Sequence, residues 1–305
     1  MTTPYIDLTM SLNGHLYKHD QRVPLDVYRF ETASRNKLTV IPEIQHRLQN
    51  VFGWKSLMFE QDHIVRFPSP IVCVEGTGHP ILNVNYRWST EYFHFITEVL
   101  PNLLFLNTFY PNAPIFCGES PFTVPMLRWF GVGGTLMNHL PEKTMRVEAP
   151  FVECGNTSPY KLGLLREKVC QKLTFEKSLG ILIHRQKNRV LLNETEVFTY
   201  LRRKFPDVKW VVFDSLSVED TAKLFAKAAI IFAPHGAGLT NMIFSPPDTR
   251  IIECMPIEFP NMCYWNMSQM MKNPYTMIPV HIQNNDWDMR VPMDVLDSIL
   301  HHTSA

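Results

Sequence analysis

Several features are missing from this sequence, and each absence narrows what the chain can be. No stretch approaches the ~18 consecutive apolar residues of a membrane-spanning helix. The opening, "MTTPYIDLTMSLNGHLYKHD", has no basic start followed by an apolar run, so it does not read as a signal peptide. Neither sign of charge is in excess, with Lys+Arg and Asp+Glu at 29 each. Without a basic surplus, non-specific nucleic-acid binding is not expected. The six cysteines (Cys73, Cys117, Cys154, Cys170, Cys254, Cys263) include no C-x-x-C pair. Their spacing suits neither a zinc site nor a small disulfide framework, and they read as free thiols of a reducing compartment. Neither the G-x-G-x-x-G dinucleotide fingerprint nor the G-x-x-x-x-G-K-[ST] phosphate loop occurs. There is no internal repeat and no low-complexity segment. The expectation is a cytoplasmic globular protein without a membrane span, in which the sequons at Asn156, Asn193 and Asn266 carry little weight.

What is present supports a sizeable fold. The 305 residues suit two domains of moderate size, and 45% hydrophobic residues suffice for their cores. The halves differ in texture. Residues 1–165 are rich in proline, aromatics and short apolar runs, with one strong helical signal near 89–108. Residues 179–254 alternate regularly. "LGILIH" (179–184), "VKWVVFD" (208–214), "AIIFAP" (229–234) and "RIIECM" (250–255) read as strands. Between them, "NETEVFTYLRRKF" (193–205) and "SVEDTAKLFAKA" (217–228) read as helices. Asn193 with Glu196, and Ser217 with Asp220, have capping-box spacing. "LTNMIF" (239–244) can form a short helix. Such alternation predicts a parallel sheet with helices on both faces, an open doubly wound α/β domain.

Open parallel sheets bind ligands beyond the carboxyl ends of their strands. Two loops of interest lie there. In "FAPHGAGLTNMIF" (232–244), His235 stands at a turn, and Gly236 and Gly238 let the backbone approach a ligand closely. A helix starting near Leu239 would aim its first amides at the same place, a ready anion site. In "HRQKNR" (184–189), Arg185, Lys187 and Arg189 gather three cations after the first strand. If both loops line one crevice, they form a pocket for a diphosphate without a metal. Glu253, ending the last strand, could accept from a pair of ribose hydroxyls. Each loop alone also fits a plainer role, a tight connection for the first and a solvated loop for the second. Their joint placement favours the anion pocket.

These residues resemble a known family. The runs "FAPHGAGLTNMIFSPPDTRIIECMP", "VVFDSLSVEDTAKLFAKAAI" and "HRQKNRVLLNETEV" are similar to the donor-binding half of the family 61 glycosyltransferases. The most specific are P-H-G-A-G-L-T-N and R-x3-R-x3-N-E (Arg185, Arg189, Asn193, Glu194). "WSTEYFHFITEVLPNLL" (88–104) is similar to the family's upstream block. The resemblance covers about 85–260. It implies a GT-B architecture of two facing Rossmann-like domains with an inter-domain cleft. Residues 1–165 would be the acceptor side and 166–305 the nucleotide-sugar side, with a last helix able to pack back on the first domain. It also implies inverting transfer of a sugar, xylose as the first choice, from a UDP-sugar to an oligosaccharide or glycoprotein glycan. N-acetylglucosaminyl or arabinosyl transfer and a non-catalytic nucleotide-sugar or glycan binder are the alternatives. Most members carry a membrane anchor, so the lack of one here suggests a soluble member, such as one encoded by a large DNA virus.

Inverting transfer needs a base for the acceptor hydroxyl and positive charge for the departing diphosphate. His94 and Glu98 are four apart and share a helical face. Glu98 is the expected base, from the half opposite the donor site, with His94 orienting it or touching substrate. The same pair could equally be a structural hydrogen bond. Asp62 and Glu75 are weaker candidates, and Pro101 should end or kink the helix. Arg185, then Arg189, would hold the diphosphate together with His235 and the backbone of Gly236, Ala237, Gly238 and Leu239. Asn241 could fix that loop. No cofactor beyond the donor and no metal site is expected. The D-x-D of Asp286 and Asp288 lies after the alternating region and reads as a decoy. Trp88, Tyr92, Phe93 and Phe95 could stack on an acceptor sugar or serve as core.

Overall fold

The computed structural model describes residues 80–302 apart from 86–87, 108–109, 140–143 and 148–158. Upstream of residue 80 it describes only the backbone of short strands. The chain divides into two compact units, Met1–Leu165 and Arg166–Ala305.

The first unit contains a five-stranded mixed sheet. Its strands are β1 (Ile71–Val74), β2 (Pro80–Asn83), β3 (Ile115–Phe116), β4 (Leu136–Met137) and β5 (Thr144–Val147), in the order β5-β1-β2-β3-β4. β2, β3 and β4 are parallel, while β1 and β5 add antiparallel strands. Each parallel step crosses over through a helix. The second crossover is Thr123–Phe130, which stops at Gly131 with φ +75°, the left-handed cap that glycine adopts without penalty.

The first crossover is less regular. An α turn at Tyr92–His94 widens into a π turn at Phe95–Val99 and resumes as helix α1 (Leu100–Asn107). Of the two outcomes expected for Pro101, an end or a kink, the first does not occur, because the residue lies inside a helix directly after the π turn. Proline has no N–H to donate and its ring crowds the carbonyl four residues back. The π turn has already shifted the ladder, because the Leu100 N–H bonds to the Phe95 carbonyl. Phe95, Ile96, Val99, Leu100 and Leu103 on this segment are buried.

The second unit is a six-stranded sheet: β6 (Leu179–Ile183), β7 (Lys209–Phe213), β8 (Ala228–Pro234), β9 (Arg250–Pro256), β10 (Tyr275–Ile282) and β11 (Met289–Arg290). The order is β7-β6-β8-β9-β10-β11, parallel except for β11. The four strands expected from the alternation are present, and the α/β class with a parallel sheet is observed. β10 was not anticipated. Pro279 weakens its strand signal, and it is tolerated because only two-residue β11 pairs β10 on its outer side.

Leu182, Phe232, Ile252 and Ile278, from four adjacent strands, pack with Val197 and Leu201 of helix α2 (Glu194–Lys204) and with Leu296 and Leu300 of helix α3 (Met293–His302). Each such side chain contributes roughly 1.5–3 kcal/mol by leaving water. Val197 and Leu201 are one turn apart, which gives α2 its buried face.

Asn193 stands at the N-cap and its Nδ2 donates to Glu196 Oε2 at 3.1 Å, but the side-chain-to-backbone bonds of a capping box do not form. Asn193 makes no side-chain cap to its own helix. Its amide accepts from the Val291 N–H at 2.9 Å and donates to the Val291 carbonyl at 3.0 Å. A side-chain amide carries both a donor and an acceptor, so it can imitate a strand partner. Ser217 does cap its helix, accepting from the Asp220 N–H at 3.1 Å. Among the described residues no helix is long and apolar enough to cross a membrane.

Candidate functional site

The chain leaves β6 to one side to form β7, then returns to the other side as β8. The strand order thus reverses between β6 and β8, and such a switch point opens a crevice at the carboxyl ends of the strands. The loops after β6 and β8 are the two singled out in the sequence, beginning at His184 and His235.

The β8 loop is built for close approach. The His235 N–H bonds to the Cys254 carbonyl at 2.9 Å, which extends the pairing of β8 with β9. Gly236 follows, and a 3₁₀ segment runs over Ala237–Phe244, two residues earlier than the expected helix. A Cβ on Gly236 would stand 2.2 Å from Arg185 Nη1, and one on Gly238 would stand 2.8 Å from Ile183 Cγ2. Only glycines let this turn lie on the end of β6 and on the arginine that follows it. At the far end of the segment, Arg166 donates to the Ile243 and Ser245 carbonyls at 2.7 and 2.8 Å.

The β6 loop is held at both ends. Arg185 Nε donates to the Asn188 carbonyl at 2.7 Å. Asn188 and Arg189 take φ of +50° and +63°, uncommon for residues with a side chain. The Arg189 N–H bonds to the Asp286 carbonyl and the Val190 N–H to Asp288 Oδ1, both at 2.9 Å. Leu191 then bridges Met289 of β11, so the loop reaches from β6 to the far edge of the sheet. Asn284 braces the other side. Its Oδ1 accepts from the Asp286 and Asp288 amides at 3.0 Å each, and its Nδ2 donates to Asp288 Oδ2 at 2.9 Å. The D-x-D therefore has a structural task, in which Asp288 fixes the loop that carries Arg189.

Arg185 and Arg189 are half-buried, whereas Lys187 is exposed. Burial, and then the nearby Arg189 charge, lower the Arg185 pKa from its usual value. The nearby Tyr264 acts in the opposite direction and raises it. Two like charges drawn partly out of water favour an incoming anion.

The structure corrects the role expected for Glu253. Its side chain is fully buried. One oxygen accepts from His235 Nδ1 and the other from the Tyr275 hydroxyl, both at 2.5 Å. Both oxygens are engaged inside the fold, so Glu253 supports His235 and does not face a ribose. The bond to Nδ1 also fixes the orientation of the imidazole, whose ring meets Tyr264 edge-on at 5.3 Å. Asn241 is buried within the 3₁₀ segment. A second pair, His184 with Glu194 at 2.9 Å, joins the end of β6 to the start of α2. Sequence reasoning missed His184, Tyr275 and Asn284. Only Glu194 carried a signal, through the R-x3-R-x3-N-E run.

His94 and Glu98 lie in the first unit, where His94 Nδ1 meets Glu98 Oε1 at 2.9 Å. The Glu98 side chain is 6% exposed and that of His94 30%. The imidazole is thus the member of the pair that solvent can reach. Trp88 stacks on it with ring centroids 5.9 Å apart and planes at 22°. Trp88 is exposed and Phe95 fully buried, with Tyr92 and Phe93 between. Asp62 and Glu75 lie outside the described residues.

Residues 92–252 match the family model Glycosyltransferase 61. The chain belongs to glycosyltransferase family 61. The matched segment of this family 61 member runs from the start of the His94 helix into β9, and holds every expected site residue except Glu253. No curated protein matches the chain. Nothing in the family match supports a viral origin.

Proposed function

We propose that the second unit binds a UDP-sugar by its diphosphate, and that the protein transfers the sugar to a glycan hydroxyl with inversion and without a metal. The observation that carries this reading is the half-buried Arg185 guanidinium packed against Gly236 at the switch point. Helical crossovers between parallel strands in both units support reading each as Rossmann-like, as a GT-B enzyme requires.

The reaction is one in-line displacement. The acceptor oxygen bonds to the anomeric carbon as the bond to the diphosphate oxygen breaks. The acceptor proton passes to a base, and the diphosphate leaves with the extra charge. Arg185 and Arg189 stabilise that charge, arginine being the side chain suited to bidentate phosphate contacts. The opening amides of the 3₁₀ segment and the His235 imidazole complete the cradle. We assign the base to the His94–Glu98 pair. The imidazole takes the proton, because it is the exposed member, and the buried carboxylate orients it. This exchanges the two roles expected from the sequence. Xylose is the proposed donor sugar, with N-acetylglucosamine and arabinose tested beside it.

The test is UDP release from single UDP-sugars in the presence of glycan acceptors, with and without EDTA. Release from at least one donor, unaffected by EDTA, is expected. Loss of all release with EDTA would show that the diphosphate leaves on a metal and that the two arginines do not suffice.

A further inference from the structure

The crevice is not the only unusual surface on the carboxyl edge of this sheet. β9 and β10 are parallel to β6 and β8, so the loops that follow them emerge on the same edge as Arg185 and His235. Each carries an exposed aromatic. Phe259, three residues after β9, is 60% exposed, and Trp287, between β10 and β11, is 41% exposed. Their rings meet edge to face with centroids 5.5 Å apart at 68°. Both lie beyond the segment that matches the family.

These rings are held in place. Glu258, next to Phe259, pairs with His281 at 2.9 Å and accepts from the Ile282 N–H at 3.3 Å. Asn284 and Asp288 brace the turn around Trp287 through the bonds described above. Trp287 itself takes φ +64°, a strained conformation for a bulky side chain and one that clusters where ligands bind. A water-facing aromatic pair, fixed on both sides by polar contacts, is pre-organised to receive a flat apolar face.

The backbone shows which face. The amides of Ile282, Gln283, Asp286, Trp287 and Asp288 are all bonded within the two loops. A nucleobase is recognised by donors and acceptors in its plane, and these five amides are already taken. The C–H face of a pyranose needs only the rings. The platform is also linked to the proposed donor site, since the Asp286 carbonyl accepts from the Arg189 N–H. We propose that Phe259 and Trp287 form a stacking platform for a pyranose ring of the glycan acceptor. The proposal rests on the transferase reading above.

The test uses the whole chain and four soluble probes: cello-, xylo-, manno- and chitotetraose. Each is titrated at up to millimolar concentration against wild type, Trp287→Ala, Phe259→Ala and Trp287→Phe, with UDP titrated in parallel. At least one tetraose should bind the wild type. Trp287→Ala and Phe259→Ala should weaken it about tenfold, the scale of an aromatic contact, while Trp287→Phe retains most binding. UDP affinity and melting temperature should not move. Weakening of UDP alone would make the rings a base platform and overturn the proposal. It is also overturned if no probe binds, if the variants bind as wild type does, or if sedimentation shows a wild-type dimer that Trp287→Ala dissociates. Wild-type protein that binds a tetraose but neither binds nor releases UDP would reject the donor-site reading and leave the platform standing.

Discussion

Arg185 packs so closely on Gly236 that its Nη1 lies 2.2 Å from where a Cβ would be. That nitrogen ends a flexible side chain, so a methyl group at 236 can be accommodated if the arginine moves. Gly236→Ala should therefore fold normally and, like Arg185→Ala, should weaken UDP by ~1.5–3 kcal/mol. The double variant should lose little more than either single one, because both changes displace the same guanidinium. Additive losses in a calorimetric cycle would mean that the two positions act separately.

If the His94–Glu98 pair is the base, Glu98→Gln and His94→Ala should each lower transfer by roughly 10²–10⁴-fold, the span of general base catalysis. UDP affinity should remain that of wild type. Single-turnover rates and UDP titration separate the two quantities. Unchanged rates would reduce the pair to a structural hydrogen bond.

Glu253 stands as a support for His235, so its loss should register in stability. Glu253→Ala leaves an imidazole and a tyrosine hydroxyl without their buried acceptor, and should cost ~3–5 kcal/mol in denaturant unfolding. Tyr275→Phe removes one hydrogen bond and should cost ~1–2 kcal/mol, with UDP affinity kept. A Glu253→Gln protein of normal stability but weak UDP binding would restore the ribose contact.

The D-x-D can be tested in the same way. Asp288 holds the Val190 amide beside Arg189, so Asp288→Ala should weaken UDP by loosening that loop, with or without EDTA. Asp286 contributes a backbone carbonyl, which alanine also supplies, so Asp286→Ala should bind UDP as wild type does. Equal loss in both variants, reversed by added manganese, would point to a metal.

The thiols give a pH prediction. Burial pushes Cys117 and Cys263 up to about 12 from the ordinary 9.0, and Cys254 is also raised by burial. Iodoacetamide near neutral pH should therefore modify exposed Cys170 ahead of these three. Raised values favour the protonated thiols of the fold. Their contribution to stability is whole below 9.0 and is lost as pH climbs toward about 12. Denaturant midpoints at ~pH 7 should exceed those at ~pH 10.

The second unit was largely legible in the sequence, because strands β6 to β9 and the helices between them obey simple periodicities. The placement of Arg185 and His235 at strand ends followed from that alternation. The juxtaposition of Arg185 with Gly236 did not, since it depends on which way the chain turns after β7. Glu253 misled because the last residues of a strand resemble ligand contacts until burial is known. Asn193 misled because its amide found a partner in Val291, 98 positions away. The π turn escaped notice because a proline in a helix is ordinarily a break.

That π turn fixes the residue count of its segment. Phe95–Val99 closes its ring with one residue more than an α turn holds. Deleting one residue there would restore regular winding to the bonds, but everything before it would rotate by ~100° relative to α1. His94 would stand three residues before Glu98 instead of four, so their bond would have to re-form from the other side of the shared face, and Pro101 would meet an intact ladder. The spacing between His94 and Pro101 should therefore tolerate substitution far better than any change in length.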